Sequence, residues 1–479
     1  MNQSNKKLAP EKFFLISSLI VGLLLCFLIP IGAGYDEDTH VARIWEISGG
    51  NFIPNSLYNS GPNFPSVFYE LSYRQKFMLD PVSIRFIAEN ISRRIDWDNM
   101  ISHSTRSPYN PLLYIIQAFI MGLLGRIFDA PVLIIYYLCR ISYLLIYIAL
   151  VYLAIRLIPF AKWLLTTLAL APMAITQAAA ISADPITNAV CFLFLAYCLH
   201  LRFKKDLISK KDLWILLGLI VLLFSVKING IVLILLLLIL PRRKFESKAV
   251  LNVLIFGVIT LFIIEVIGWN LLAIRSKMPF TVETGVDPIG QVNFILTHLF
   301  QFIGIVFNNL IRYATVLIRE YIGVMGYRYW AYPSILYILF PIMLVIVFIF
   351  DNSHSVRFSH KDRVIVLFTF ILGIFVTYSS LYVMINPVGS DLINRDGRYL
   401  IPLMPLFFLA IYPSKQITLP GFEKVMVFGN SFILLIMMGS MFFSYYVTCG
   451  VNYYTSPGNC YYPVYKNWMP DQRYINQEK

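Results

Sequence analysis

Charged residues are scarce in this 479-residue chain, at only 14%, and that scarcity excludes an ordinary soluble domain, in which about a quarter of residues are charged. Also missing are a Gly-rich phosphate loop, a metal-type CxxC pair, an internal repeat and any low-complexity tract. Nucleotide-dependent chemistry and a zinc-type centre therefore have no support in the sequence. Cysteine is sparse as well. Cys26, Cys139, Cys191 and Cys198 lie within apolar runs, while Cys449 and Cys460 flank a polar tail. With the tail on the external, oxidising side those two read as a disulfide, and two unpaired thiols are the competing reading.

What the chain has in abundance is apolar surface, with 58% hydrophobic and 15% aromatic residues. Apolar runs of about 20 residues, enough for a helix to cross roughly 30 Å of hydrocarbon, recur from Phe13 to the region of Met437, far beyond one signal peptide. An all-α polytopic integral membrane protein follows. The net charge of +13 would suggest nucleic acid in a soluble protein. Here the basic residues cluster in short loops between apolar runs, a pattern that sets topology, so the partner is the lipid bilayer and no nucleic acid is expected.

Lys6, Lys7 and Lys12 precede the first run, which keeps the N-terminus cytoplasmic and sends Asp36 to the exterior. Residues 34–130 then read as a long first external loop, with an amphipathic surface helix in "FMLDPVSIRFIAENISRRI" and a juxtamembrane or re-entrant helix over Asn110 to Phe128. With that parity Pro131 to Leu157 runs inward, Trp163 to Ile181 outward and Pro185 to Leu201 inward. The last of these ends at "RFKKDLISKKD", the densest basic loop, on the cytoplasmic side. "LWILLGLIVLLFSVKINGIVLILLLLILPRRK" reads as two short helices meeting at an outward tip near Lys227, a break tolerated where it lines a cavity or packs on protein. Val250 to Trp269 exits, residues 271–331 form a second large external segment, and "GYRYWAYP" looks like an interfacial aromatic belt. Tyr332 to Phe350, Val364 to Ile385, Tyr399 to Tyr412 and Met426 to Tyr446 complete about eleven spans in a single membrane domain, with residues 447–479 as an external tail.

The candidate chemistry begins where the first run stops, in "GAGYDEDTHVARIWEISGG". A carboxylate just above the hydrocarbon can act as a general base or hold a divalent cation against a phosphate. Asp36, Glu37 and Asp38 supply such groups, and His40 falls on the same helical face as Glu37 or Asp36. The competing reading is that Asp36 caps the helix "EDTHVARIWEIS" and the other acids are solvated charges near its N-terminus. The same topology brings Asp184, Lys227, Arg395 and Arg398 to the side of the acids. Asp184 reads either as an acidic site residue or as a cap before Pro185. Lys227, between two apolar halves, must snorkel or meet an anion. Arg398 either anchors a span at the headgroups or grips a phosphate with its planar fork. Tyr58, Phe64, Phe68, Tyr69 and Tyr73 in the first loop are suited to stacking on sugar faces or to anchoring at the interface.

Taken in order, "YDEDTHVARIWEISGGNF", "SPYNPLLYIIQA", "ITQAAAISADPITNA", "SVKING" and "NPVGSDLINRDGRYLIPLMPL" resemble the bacterial polytopic membrane proteins of a widespread domain of unknown function. That family is similar to the GT-C class of glycosyltransferases that use lipid-linked sugars. The resemblance spreads over most of the chain, with Asp38 and Tyr35 standing where the family usually has proline. It implies a GT-C-like fold and an inverting transferase in the bacterial inner membrane, moving a sugar from a polyprenyl-phosphate carrier to a glycan or other acceptor at the outer face. Under that implication Asp36 is the base, Glu37 assists it or joins it in binding Mg or Mn, and His40 supports both by hydrogen bonding. Asp184 completes the acidic site, and Lys227, Arg398 and Arg395 bind the donor phosphate. A transporter or flippase of lipid-linked intermediates would use the same cations without a base. An assembly partner would leave the acids as caps.

Overall fold

A computed structural model describes residues 8–53, 60–76, 84–106, 108–273, 286–325, 330–351, 358–413 and 417–448. The protein is a bundle of helices, and six of those described are long and apolar enough to cross a membrane: Pro10–Leu28, Val132–Leu157, Asp184–Phe203, Lys248–Ala273, His360–Ile385 and Phe422–Val447. The other segments with apolar runs are shorter or broken. Lys162–Ala169 and Pro172–Ala178 are two helices where one span is expected, because Pro172 starts a new helix after an extended Ala171. Lys210–Ser225 ends at Val226, and a new helix starts after Lys227. Leu336–Phe350 has 15 residues, and the stretch from Tyr399 contains a 3-10 turn followed by the seven-residue Met404–Ala410 helix. The apolar helix Ile115–Ile127 is likewise too short to cross unaided.

Asp184–Phe203 is the centre of the bundle: 78% of its most apolar window is buried, against 11% for Lys248–Ala273 at the periphery. Between helices in lipid there is little hydrophobic drive, so close packing by small residues and polar ties must hold them. Ala169, Ala171, Ala174, Ala178, Ala179 and Ala183 are all fully buried along the broken segment that precedes the central helix. Arg140, in the middle of Val132–Leu157, is the strongest tie. Its guanidinium donates to the carbonyls of Cys26, Ile29 and Pro30, closing the C-terminal end of the first span.

The chain runs back and forth, so the helices have two common ends. At one end the basic loops meet: Ile208 bridges to Phe245 in parallel, Arg202 pairs with Asp362 at 3.0 Å, and Ser209 and Ser359 each start a helix with a capping box. The opposite end carries Asp36, Arg106, Asp184, Lys227 and Arg398. Above it the first loop has its own small fold. An antiparallel pair, Ser60–Pro65 with Met100–Ser104, is not foreseen from the sequence, and of the expected amphipathic helix only Ile84–Asn90 is described as helical before the turn at Ile91. Phe64 and Phe68 are buried there, stacked at 5.7 Å with Trp45 beside Phe68. They form the loop's core and are not available for stacking on a sugar. Tyr69 packs on His103, while Tyr58 and the Tyr73 side chain lie outside the described residues. Tyr332 of the expected aromatic belt is also buried, its hydroxyl 3.2 Å from Thr176. Cys449 and Cys460 lie outside the described residues.

Candidate functional site

The helix read from "EDTHVARIWEIS" is Glu37–Ser48. Asp36 occupies its N-cap position, but in the left-handed region (φ 56°, ψ 20°) and without a side-chain capping bond. The carboxylate is instead turned to two arginines, at 2.8 Å from Arg106 and 3.3 Å from Arg398, and its side chain keeps 22% of its surface exposed. Burial alone would raise its pKa; Arg106 and Arg398 outweigh that and hold the carboxyl well below the usual carboxylate range.

Glu37, one residue on, has a different job. It is fully buried and forms a bidentate pair with Arg140, at 2.8 and 2.7 Å. It also accepts the backbone N–H groups of Gly32, Gly34 and Ile181. With its lone pairs filled this way, Glu37 has no open position for a metal ion or an acceptor hydroxyl. The reading of Glu37 as an assistant base or metal ligand does not fit this geometry; it is the anchor that joins the first loop to two spans. The donor set likewise does not suit Mg or Mn at Asp36 and Glu37, because guanidinium groups occupy the places a cation would take. Among the described residues no group of three or more His, Cys, Asp or Glu side chains is placed so that it could hold a metal ion.

His40 is buried, with Nδ1 2.8 Å from the Tyr114 hydroxyl and its ring stacked over Tyr109. It therefore supports the tyrosines, and not the acids by the hydrogen bond that the resemblance implies. Burial, then Arg106 and Lys227, push its pKa down to about 3, so the ring is neutral. Asp38 points elsewhere, 3.3 Å from His103 in the loop's sheet.

Asp184 is the first residue of the central helix, whose N-cap is Ala183, so it is not the cap. Its carboxylate pairs with Lys227, accepts from Gln177 Nε2 at 3.0 Å and lies 3.8 Å from Arg398. Lys227 stands at the break between two helices, with Tyr109 and Tyr399 at 5.3 and 5.0 Å from its ammonium. The anion it meets is thus the protein's own. Arg398 sits in the Gly397–Leu400 turn, which Asp396 caps. It reaches Asp36, Asp184 and Asp396, and its plane lies 4.0 Å over Tyr35. Arg395 does not join this group; it stacks on Tyr313 at 3.4 Å.

Three carboxylates, Asp36, Asp184 and Asp396, thus face three cations, Arg106, Lys227 and Arg398, while His40 adds no charge. Arg106, Asp396 and the tyrosines 35, 109, 114 and 399 are members that sequence reasoning missed. Beside Asp184 and Tyr35 is a small cavity of ≈ 10 Å³, room for roughly one water.

The fold and this centre define a polytopic membrane protein with a charge-matched polar network buried at one end of its bundle. Residues 19–407 match the model of the family described as predicted membrane protein (DUF2142), and the chain belongs to that family. All members of the network fall within the matched span. No curated protein and no solved structure matches the chain.

Proposed function

We propose that the protein is a membrane glycosyltransferase of GT-C type, with about eleven membrane passages once the short and broken helices are counted. It moves a sugar from a polyprenyl-phosphate donor to a cell-envelope glycan or another acceptor at the outer face of the bacterial inner membrane, with its N-terminus cytoplasmic. The observation that carries this reading is the meeting of Lys227 and Arg398, each at a break between helices, with the more exposed carboxylate Asp36 beside them. An anionic carrier that diffuses within the bilayer brings its own phosphate to such a place, and no nucleotide loop is required.

In this reaction the acceptor hydroxyl gives its proton to Asp36 while its oxygen bonds to the anomeric carbon. The bond from that carbon to the phosphate oxygen breaks, and Lys227 and Arg398 neutralise the charge left on the phosphate. Asp36, Asp184 and Asp396 hold these cations as placeholders: the cavity is too small for a sugar phosphate, so the donor enters by taking over Arg398 and Lys227. Losing Arg398 makes Asp36 more basic when an acceptor arrives.

A second reading, a transporter or flippase of lipid-linked intermediates, draws on one observation. Asp36 between two arginines is a weak base, and a carrier that is only moved needs none. Mass spectrometry of surface glycans with and without the gene tests the first reading. A sugar missing from an otherwise assembled glycan supports transfer, whereas loss of whole glycan units supports transport.

A further inference from the structure

Pro288–Thr297 and Leu299–Arg312 are two apolar helices bent against each other by 105° at His298. Neither is long enough to cross a bilayer. The second shows three stripes. Phe302, Ile305, Val306 and Asn309 are buried against the protein. Phe300, Ile303, Phe307 and Ile311, spaced three and four apart, are exposed, Phe300 by 89%. Between them runs an exposed polar row of Gln301, Asn308 and Arg312, interrupted only by Gly304. The first helix continues the apolar row with Ile289 and Leu296, exposed by 84% and 74%.

A protein face in water does not carry so continuous an apolar row, and a helix surrounded by acyl chains does not carry the polar one. The two side by side fit a helix lying at a boundary. The buried stripe packs on the final turns of a membrane span, with Phe302 at 5.4 Å from Phe375 and 5.1 Å from Tyr382. Toward its other end that span exposes Val364, Phe368 and Ile371, an apolar side of its own suited to acyl chains.

We propose that this pair is a half-membrane wedge, its apolar row seated in the acyl chains of one leaflet and its polar row, ending in Arg312, at the phosphates of the headgroups. The wedge is tied to the polar centre. Asn309 donates to the carbonyl of Asp391 at 2.9 Å and accepts from the N–H of Ile393 at 3.1 Å, and these two residues lead into the turn that bears Arg398. Seating of the wedge in lipid and placement of Arg398 are therefore coupled, whatever reaction the centre serves.

Spin labels test the seating. Full-length Phe300→Cys, Phe307→Cys and Asn308→Cys proteins are labelled and reconstituted in phosphatidylcholine vesicles, with the signal from the unsubstituted chain subtracted. Accessibility to oxygen, which concentrates in acyl chains, is compared with accessibility to a water-soluble nickel chelate. The oxygen-to-nickel ratio is expected to be several-fold higher at 300 and 307 than at 308. High nickel accessibility at 300 and 307 would mean a face in water, and low accessibility to both reagents would mean a face covered by a second copy or another protein. Either result overturns the proposal.

Discussion

Arg398 and Asp36 are 362 positions apart in the chain and meet at 3.3 Å. The contact joins the loop after the first span to the Gly397–Leu400 turn, and it places the most exposed carboxylate of the centre under the control of the cation best shaped to hold a phosphate. Other parts of the molecule serve to bring these two together, and each can be tested separately.

The Glu37–Arg140 pair is the deepest of these parts. Removing one partner of a fully buried ion pair leaves the other charge uncompensated, at a cost of about 3–5 kcal/mol. Glu37→Gln should therefore lower the thermal unfolding midpoint of the detergent-purified protein severely. The double variant Glu37→Gln, Arg140→Met should recover part of the loss, because no lone guanidinium remains. A midpoint unchanged in Glu37→Gln would show that this residue is not the anchor.

The Arg398 turn depends on a close approach. A Cβ on Gly397 would come 2.1 Å from the carbonyl oxygen of Leu317 and 2.8 Å from the backbone nitrogen of Tyr321, while the Gly397 N–H donates to Glu320 at 2.9 Å. Backbone cannot yield as a flexible side chain can, so Gly397→Ala must push the turn outward. The expected outcome is a folded protein that binds polyprenyl phosphate as weakly as Arg398→Ala does; binding at wild-type strength would contradict the role given to the turn.

Acid should destabilise the centre in a defined window. His40 has a folded pKa of about 3 against an ordinary 6.5, so below pH 6.5 the unfolded chain takes up a proton that the folded one refuses, and stability falls as pH drops from 6.5 toward 3. Asp36, whose pKa is also depressed, adds to the loss below its ordinary value of 3.8. Unfolding midpoints measured from pH 8 to 4 should stay level down to about 6.5 and then decline. His40→Gln should flatten the upper part of that decline, and an identical decline in the variant would assign it to another group.

Lys227→Met tests the phosphate site from its other side. A hydrogen bond to a charged group is worth about 1.5–3 kcal/mol, so loss of the ammonium should weaken binding of polyprenyl phosphate by roughly ten- to a hundredfold, with Lys227→Arg losing less. Titration of the purified protein with the lipid measures it, and equal affinity in all three forms would remove Lys227 from the site.

The apolar runs, the break at Lys227 and the convergence of Asp36, Asp184, Lys227 and Arg398 on one end were legible because hydropathy and basic loops constrain which helix ends can meet. The division of labour between Asp36 and Glu37 was not. Neighbours at a helix start point about 100° apart, so one can face the centre while the next faces Arg140. Arg140 did carry a signal, as an ionisable residue in the middle of an apolar run, which by default has a buried partner. Arg106 and Asp396 carried none, since polar residues in a loop look alike until the loop is folded. The failure of Trp163 to Ile181 to form one helix was announced by Pro172. The placing of Arg395 on Tyr313 depends on packing that no local pattern specifies.

Turnover of Asp36→Asn bears most directly on the central claim. With the protein in vesicles, a polyprenyl-phosphate sugar as donor and the native envelope glycan as acceptor, the variant should bind donor near normally and transfer sugar about 10²–10⁴-fold more slowly, the contribution typical of a general base. Transfer at the wild-type rate would contradict the assignment of Asp36 as the base and with it the account of the polar centre.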